Sequence, residues 1–285
     1  MKRPQEIERD IIGMQTLSEL TSVFEGIASM RIAQIKTQVL QSQNYFDTLW
    51  QMYTQIRAGT PFAFGRHVLE DDANVIDKEL FIVITAEGGF SGDIDQKLIS
   101  WMLKSYDKEK HDIIVIGHHG AIQLAQRGVS FKKYFKLPSK DQNINVTPII
   151  REVQLYKSTN VFYQTYVSLT VQDVKRISLS SAVEEQGKDV EKGTEIINEA
   201  TYIFEPSSFA VVDHLERSMM NIALSQVILE SKLAQYASRF QAMSAAHNRA
   251  NDSVGEYKLM YSRARRAIKD ERLKEIINGL RKAHA

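Results

Sequence analysis

The sequence predicts an α/β fold in which long helices from the two chain ends form an antiparallel coiled coil, with a Rossmann-like α/β domain inserted between them. Apolar residues recur in steps of three and four near each end. Two short apolar runs in the middle are typical of buried strands, and each precedes glycine and a helical stretch. We expect an N-terminal coiled-coil helix over residues 1–60, an α/β domain over 61–205 and a C-terminal coiled-coil helix over 206–285.

The N-terminal helix is predicted from an apolar seam. Its members are Ile7, Ile11, Met14, Ala28, Ile32, Ile35, Val39, Phe46, Leu49, Tyr53 and Ile56. The seam positions in the gap are polar: Ser18, Thr21 and Glu25. Apolar residues stand beside them, at Leu17, Leu20, Phe24 and Ile27. We therefore expect the contact surface to move by one residue in this stretch, and the helix to end at the glycine and proline of residues 58–61.

The C-terminal helix is predicted from a longer seam. Its members are Leu215, Met219, Ile222, Leu229, Leu233, Tyr236, Phe240, Met243, Ala250, Val254, Tyr257, Tyr261, Ala264 and Ile268. Only Gln226 and His247 interrupt the pattern. A start at residues 206–208 and the absence of a later proline predict a helix of about 70 residues, roughly 100 Å long. The two seams can bury each other as an antiparallel coiled coil.

The middle of the chain predicts strands at residues 80–84 and 112–116. A further strand is expected over residues 161–171, where aromatic and β-branched residues alternate with polar ones, and a last strand at residues 202–204. A charged helix is expected around residues 177–200, despite two glycines within it.

Composition excludes several classes of function. The chain of 285 residues has no cysteine, which rules out disulfides, thiol nucleophiles and thiolate metal sites. Its 36 Lys and Arg against 35 Asp and Glu give a net charge of +1, so nothing favours a nucleic-acid partner. The sequence shows no signal peptide and no apolar run long enough to span a membrane.

A glycine-rich turn at residues 87–95 follows the first strand, and such turns often bind phosphate at the N-terminus of the next helix. This turn lacks the Lys and hydroxyl of a P-loop and contains three carboxylates. We favour a tight strand-to-helix turn over a nucleotide or metal site. His118 and His119 are interpreted as a solvated loop pair rather than metal ligands. Together with the absence of a Gly-x-Ser-x-Gly elbow, these features predict no catalytic residue, cofactor or metal.

The last helix is strongly basic. Its cations are Arg263, Arg265, Arg266, Lys269, Arg272 and Lys274. Cations near a helix C-terminus interact favourably with its dipole, so an ordinary solvated helix end explains them. Alternatively, arginines at the end of a long rod engage carboxylates of a surrounding protein.

Several short sequence segments, which occur in the same order as in the family, resemble the gamma subunit family of F-type rotary ATP synthases. Residues 202–207 resemble the family's lead into its C-terminal helix, and residues 230–243 its Glu-Ser and Arg-Met-x-Ala-Met spacing. Residues 261–267 resemble a Tyr-Asn-x-Ala-Arg-Gln-Ala motif, and residues 84–99 align with the family's Asp-Arg-Gly-Leu-Cys-Gly-Gly segment. The chain departs from the pattern at Phe24, where Met is usual, at Gly88 and Ser91, which replace Arg and Cys, and at Arg266, which replaces Gln.

The resemblance implies the central rotor shaft of an ATP synthase or ATPase, a non-catalytic subunit that couples ion-driven rotation to ATP synthesis or hydrolysis at the alpha/beta ring. It implies alpha, beta and epsilon subunits and the membrane c-ring as partners, and a peripheral position at the cytoplasmic face of a bacterial inner membrane. By position, Arg265 and Arg266 match the contact with the beta catch loop. Phe24 and Arg239 match the region beneath the beta lever loop.

Two other functions compete with this interpretation. An α/β enzyme would bind a nucleotide at residues 87–95 and dimerise through its coiled coil, and tight ATP binding by the isolated chain would support it. A coiled-coil scaffold protein would pair its seams between chains, and a stable homodimer would support it.

Overall fold

The structure is a computed structural model that describes residues 3–57, 76–141, 144–179, 183 and 202–283. The chain divides into two compact units. Met1–Ala28 and Phe240–Ala285 form the first, here called the helical unit, and Ser29–Arg239 form the second, here called the sheet unit. The expected ends of the three sequence-based domains stay predictions.

Two long helices account for most of the helical residues. Helix α1 spans Pro4–Arg57 and helix α5 spans Ser208–Ala283, so the C-terminal helix reaches 76 residues. The predicted helix end at residues 58–61 lies outside the described residues. No described helix is both long and apolar enough to cross a bilayer.

The sheet unit contains five strands in the order β3-β2-β1-β4-β5. The strands are β1 (Ile76–Ile84), β2 (His111–Ile116), β3 (Lys133–Phe135), β4 (Tyr156–Tyr166) and β5 (Gln172–Ser178). The first four pair in parallel, and β5 pairs antiparallel with β4. The shorter helices are α2 (Ile94–Ser105), α3 (His118–Gln126) and α4 (Thr147–Val153). The predicted Rossmann-like fold is confirmed.

The strands alternate their side chains between two apolar clusters, as period-2 geometry requires. Phe81, Val83 and Val115 pack with α2 and α3 on one face. Leu80 and Ile82 pack on the other face, with α1, α4 and α5. The sheet is covered on both sides, which explains the continuous apolar runs of β1 and β2.

Helices α1 and α5 are antiparallel within the sheet unit. The Tyr53 hydroxyl donates to Glu216 Oε1 at 3.0 Å, and Gln226 Nε2 donates to Ser42 Oγ at 3.1 Å. Moving back along α1 therefore means moving forward along α5. The predicted antiparallel pairing within one chain is confirmed here.

One sequence expectation is wrong, and two others have wrong bounds. Tyr202, Ile203 and Phe204 lie in no strand. The strand expected over 161–171 covers Tyr156–Tyr166 instead, because backbone bonds between residues 167 and 171 form a turn: Val167 N donates to Val171 O at 3.2 Å. Ile177, placed at the start of a helix, lies in β5, which completes its hydrogen bonds by pairing with β4. The expected helix begins later: Leu179 and Val183 are helical, and most of its other residues lie outside the described part of the chain.

The expected shift of the α1 contact surface is also wrong. Ser18 and Thr21 are buried, whereas Leu17, Leu20, Phe24 and Ile27 are exposed. The seam keeps its register because its polar groups find partners. Thr21 Oγ1 donates to carbonyls of its own helix, at Leu17 and Ser18. Burying a satisfied hydroxyl costs little compared with an unsatisfied one.

Candidate functional site

The glycine-rich turn is a tight strand-to-helix connection, as favoured from the sequence. Gly92 has φ +65°, and its neighbour Phe90 has φ +68°, so both adopt left-handed backbone. Gly117, which follows β2, has φ +101°, and a Cβ there would lie 2.0 Å from the Thr85 carbonyl oxygen. Glycine at 117 therefore allows the ends of β1 and β2 to approach closely.

Asp95 is the buried centre of this region. It lies in the first turn of α2, is 3% exposed, and accepts hydrogen bonds from the Ala86 N–H at 3.2 Å and from Gln164 Nε2 at 2.6 Å. His119 Nδ1 lies 3.1 Å from the other carboxylate oxygen. Burial raises the pKa of the Asp95 carboxyl, and the bonds from Ala86 and His119 oppose that rise. The interpretation of both histidines as solvated is wrong for His119, because it forms this bond from the first turn of α3; His118 is exposed.

Helix α5 occupies the crevice at this edge of the sheet. Strand order reverses at β1, and open α/β sheets bind ligands outside the carboxyl ends of the strands at such a point. Here Ser231 Oγ bonds to Gln164 Oε1, and Gln235 Nε2 donates to the same oxygen at 3.3 Å. Gln164 in turn bonds Asp95. The polar side chains at the point where the strand order reverses are therefore hydrogen-bonded to α5 or to each other.

Arg239, which lies one turn further along α5 than Gln235, donates hydrogen bonds to the glycine-rich turn. Its Nε donates to Gly89 O at 3.1 Å, its Nη2 donates to Gly88 O at 3.3 Å, and its guanidinium lies 5.1 Å from the centre of the Tyr236 ring. Partial burial lowers the pKa of Arg239. A predicted contact residue is therefore engaged within its own unit, through carbonyls that no sequence pattern identified.

The helical unit contains a closed polar network within the seam. His247 Nδ1 lies 2.9 Å from the Ser18 carbonyl oxygen, and the Ser18 hydroxyl donates to Asn251 Oδ1 at 2.7 Å. Asn251 Nδ2 lies 3.0 Å from His247 Nε2. A neutral His247 protonated on Nδ1 satisfies all three contacts. The residue that interrupts the predicted seam on α5 therefore bonds one that interrupts it on α1.

The end of α5 is exposed throughout. Every residue from 265 to 281 is exposed, including Arg265 and Arg266. Apolar residues recur in this stretch in steps of three and four: Leu273, Ile276, Ile277 and Leu280. This helix end thus carries an apolar stripe beside basic residues. Within the helical unit, the exposed apolar residues of α1, which include Phe24 at 40% exposure, form a second exposed apolar surface.

Comparisons with known proteins decide the family. A family model described as ATP synthase matches residues 3–281. The ATP synthase gamma chain of Halothermothrix orenii is 23% identical over 287 residues, covering 98% of both chains. That of Alkaliphilus metalliredigens is 27% identical over 291 residues, covering 96% of both. The chain belongs to the ATP synthase gamma chain family.

Solved structures agree with the fold of this chain. A chain of the Euglena gracilis mitochondrial ATP synthase, in a structure of OSCP, F1 and c-ring, has a TM-score of 0.67 at 15% identity. The match covers 99% of this chain and 95% of the Euglena chain. A chain from the central stalk and c-ring of the Tetrahymena thermophila enzyme has a TM-score of 0.55 and covers 80% of this chain. Long terminal helices with an inserted sheet are thus the arrangement of this family.

Proposed function

We propose that this gamma chain is the central rotor shaft of a rotary ATP synthase or ATPase, coupling ion-driven rotation to ATP synthesis or hydrolysis at an alpha/beta ring. The exposed end of α5 carries the proposal. Residues 265–281 expose an apolar stripe on a helix that extends past the last buried seam residue, Ala264. Such a stripe is stable in water only when another surface covers it. The interior of a surrounding ring of subunits provides that cover.

The basic residues at this helix end then face the ring. Arg265 and Arg266 are proposed to contact acidic or carbonyl oxygens of the beta catch loop, because guanidinium groups form directional, often bidentate bonds to carboxylates. Phe24 is proposed to contact the beta subunits below the lever loop as part of the exposed apolar surface of α1. Arg239 of α5 is proposed to contact the same region of the beta subunits, through the N–H donors that do not bond Gly88 and Gly89.

The chain is proposed to have no catalytic site of its own. The crevice where an α/β sheet would hold a nucleotide is filled by Ser231 and Gln235. This feature disfavours the rival α/β enzyme, and the pairing of α1 with α5 within one chain disfavours the scaffold dimer. Rotation instead changes the nucleotide affinity of each beta subunit in turn, since an asymmetric shaft contacts each beta subunit differently.

The remaining partners follow from the same proposal. The sheet unit contacts the epsilon subunit and the membrane c-ring, so the protein is peripheral to the membrane, at the cytoplasmic face of a bacterial inner membrane. Relatives described with a rotor or a c-ring support this placement.

Purification of the tagged chain from its native cell tests the proposal. Alpha, beta and epsilon subunits and c-ring should co-purify, and the complex should hydrolyse ATP, whereas the isolated chain should neither hydrolyse ATP nor bind it tightly. Recovery of the chain alone or as a homodimer, or a micromolar Mg-ATP site on the isolated chain in calorimetry, would contradict the proposed function.

A further inference from the structure

Residues 230–239 of α5, here called the polar contact segment, bond to the sheet and its loops with unusual density. Its bonded members are Glu230, Ser231, Lys232, Gln235, Ser238 and Arg239. At about 100° per residue, these side chains span roughly 200° of the helix circumference. The sheet unit therefore holds this part of α5 on more than one side, through bonds of fixed direction.

Lys232 and Asp141 form a buried ion pair of the segment. Lys232 is 2% exposed and Asp141 is 8% exposed. Lys232 Nζ bonds Asp141 Oδ1 and also donates to the Pro138 carbonyl oxygen at 2.8 Å. A buried lysine is stable as a cation only when its charge and its donors are matched, and this loop supplies both an anion and a carbonyl.

Asp141 also bonds the other long helix. Arg31 Nη1 of α1 lies 3.3 Å from Asp141 Oδ2. One carboxylate, in the loop that follows β3, thus binds α1 through Arg31 and α5 through Lys232. The loop connects both helices of the coiled coil to the sheet.

Apolar helix surfaces allow movement in steps, because ridges of one surface fit successive grooves of another. A buried ion pair resists such a step, since displacement leaves an uncompensated buried charge. A helix that carries torque must neither roll nor slip relative to the body that drives it. The polar contact segment meets this requirement, and the Lys232 pair is its stiffest part.

We infer that the Lys232–Asp141–Arg31 cluster is a torque-transmission site. It fixes both long helices to the loop after β3, so that rotation of the sheet unit turns α1 and α5 with it. This inference rests on the proposed rotor function. Lys232, Asp141 and Arg31 are positioning residues, because they act through the helices and contact no nucleotide.

The test uses the assembled, membrane-bound complex with a double variant, Lys232→Met with Asp141→Leu. Replacing a buried ion pair by apolar residues of similar size usually preserves stability, and the partly exposed Arg31 can be hydrated. We expect wild-type assembly and unloaded ATP hydrolysis, but loss of most ATP-driven ion pumping per ATP hydrolysed. The matched control, Lys157→Met with Asp77→Leu, removes an ion pair at the surface of the same unit and should pump like the wild type.

The outcomes separate the two proposals. Unchanged pumping per ATP in the assembled double variant would overturn the torque-transmission site while leaving the rotor function intact. Failure of the wild-type chain to assemble with alpha and beta subunits would overturn the rotor function itself. If the double variant does not fold, Arg31→Gln decides: it removes only the α1 contact and should lower pumping per ATP partially, and an unchanged ratio would refute the inference.

Discussion

Helix α5 is one continuous helix, but its two halves are stabilised in different ways. Over residues 215–237 it has buried side chains on most of its circumference, such as Ala223, Leu224 and Ile228, because sheet and helices pack around it. From residue 243 onward only one narrow seam is buried, and beyond Ala264 no described side chain is. The first half is stabilised within the chain. The second half leaves much of its apolar surface for a partner.

The largest expected effect is a contrast between two identical substitutions. Ile228→Ala should lower the free energy of unfolding by about 2–5 kcal/mol, because it opens a cavity in the core of the sheet unit. Ile276→Ala, at a position 60% exposed, should change it by less than about 0.5 kcal/mol. Urea denaturation of the purified chain measures both. Similar losses would mean that the end of α5 is covered within the chain.

The buried carboxyl of Asp95 should make the stability of the sheet unit depend on pH. Because the folded pKa of Asp95 is raised above its value in the unfolded chain, its contribution to stability is fully present below that unfolded pKa and is lost as pH rises through the folded pKa. Asp95→Asn keeps an acceptor for Ala86 and Gln164 but cannot ionise. The free energy of unfolding of the wild type, minus that of the variant, should therefore fall as pH rises above the unfolded pKa of about 4.

Urea denaturation of both proteins at a series of pH values from about 4 upward measures that difference. Titrating groups distant from Asp95 cancel in it, whereas His119, which lies 3.1 Å from the carboxylate, does not. Asp93→Asn, at an exposed position on the same turn, is the matched control and should show a smaller change. A difference that rises with pH would mean that hydrogen bonds stabilise the ionised carboxylate more than burial destabilises it.

Much of this comparison could be predicted from the sequence, because the responsible signals are local. The seams of α1 and α5 and the apolar runs of β1 and β2 reflect periods of a few residues. Strand β5 was missed because its sequence, QDVKRIS, is largely polar and its edge position is set by pairing with β4. The burial of Ser18 was not predicted, because its partners, His247 and Asn251, lie more than two hundred residues away in the sequence.

The site was predictable only in part. Arg239 was identified from a family resemblance, but its acceptors are backbone carbonyls, which have no sequence signature. Lys232 and Asp141 were missed, because 91 residues separate them. One signal was available: Lys232 is a lysine among mostly apolar residues near the middle of a seam, where a charge requires a buried partner.

The hydrogen bonds among Ser18, His247 and Asn251 should contribute less to the free energy of unfolding than the core side chain of Ile228 does. In a double-mutant cycle, Ser18→Ala and Asn251→Ala should show a coupling of about 0.5–1.5 kcal/mol, because the Ser18 hydroxyl on α1 donates directly to Asn251 Oδ1 on α5. Thr21 is the matched control: it is buried on the same seam but bonds only carbonyls of its own helix. Thermal unfolding of the wild type, the three single variants and the two double variants measures the coupling. Equal coupling of Thr21→Ala and Ser18→Ala to Asn251→Ala would argue against a specific network.

The smallest effect on stability should accompany a clear effect on function. Arg265→Ala with Arg266→Ala should leave the free energy of unfolding within about 0.5 kcal/mol of the wild type, since both side chains are exposed. In the assembled complex the same variant should slow ATP turnover or lower torque, because a desolvated charge-assisted contact contributes about 1.5–3 kcal/mol, whereas a solvated ion pair contributes under about 1. Arg272→Ala with Lys274→Ala removes the same charge from the same exposed stretch, and its turnover should stay closer to that of the wild type if position matters more than charge. Equal losses in both variants would indicate a general electrostatic attraction. Wild-type turnover and torque in both, with assembly verified, would mean that the basic residues form an ordinary solvated helix end and that the apolar stripe alone contacts the ring.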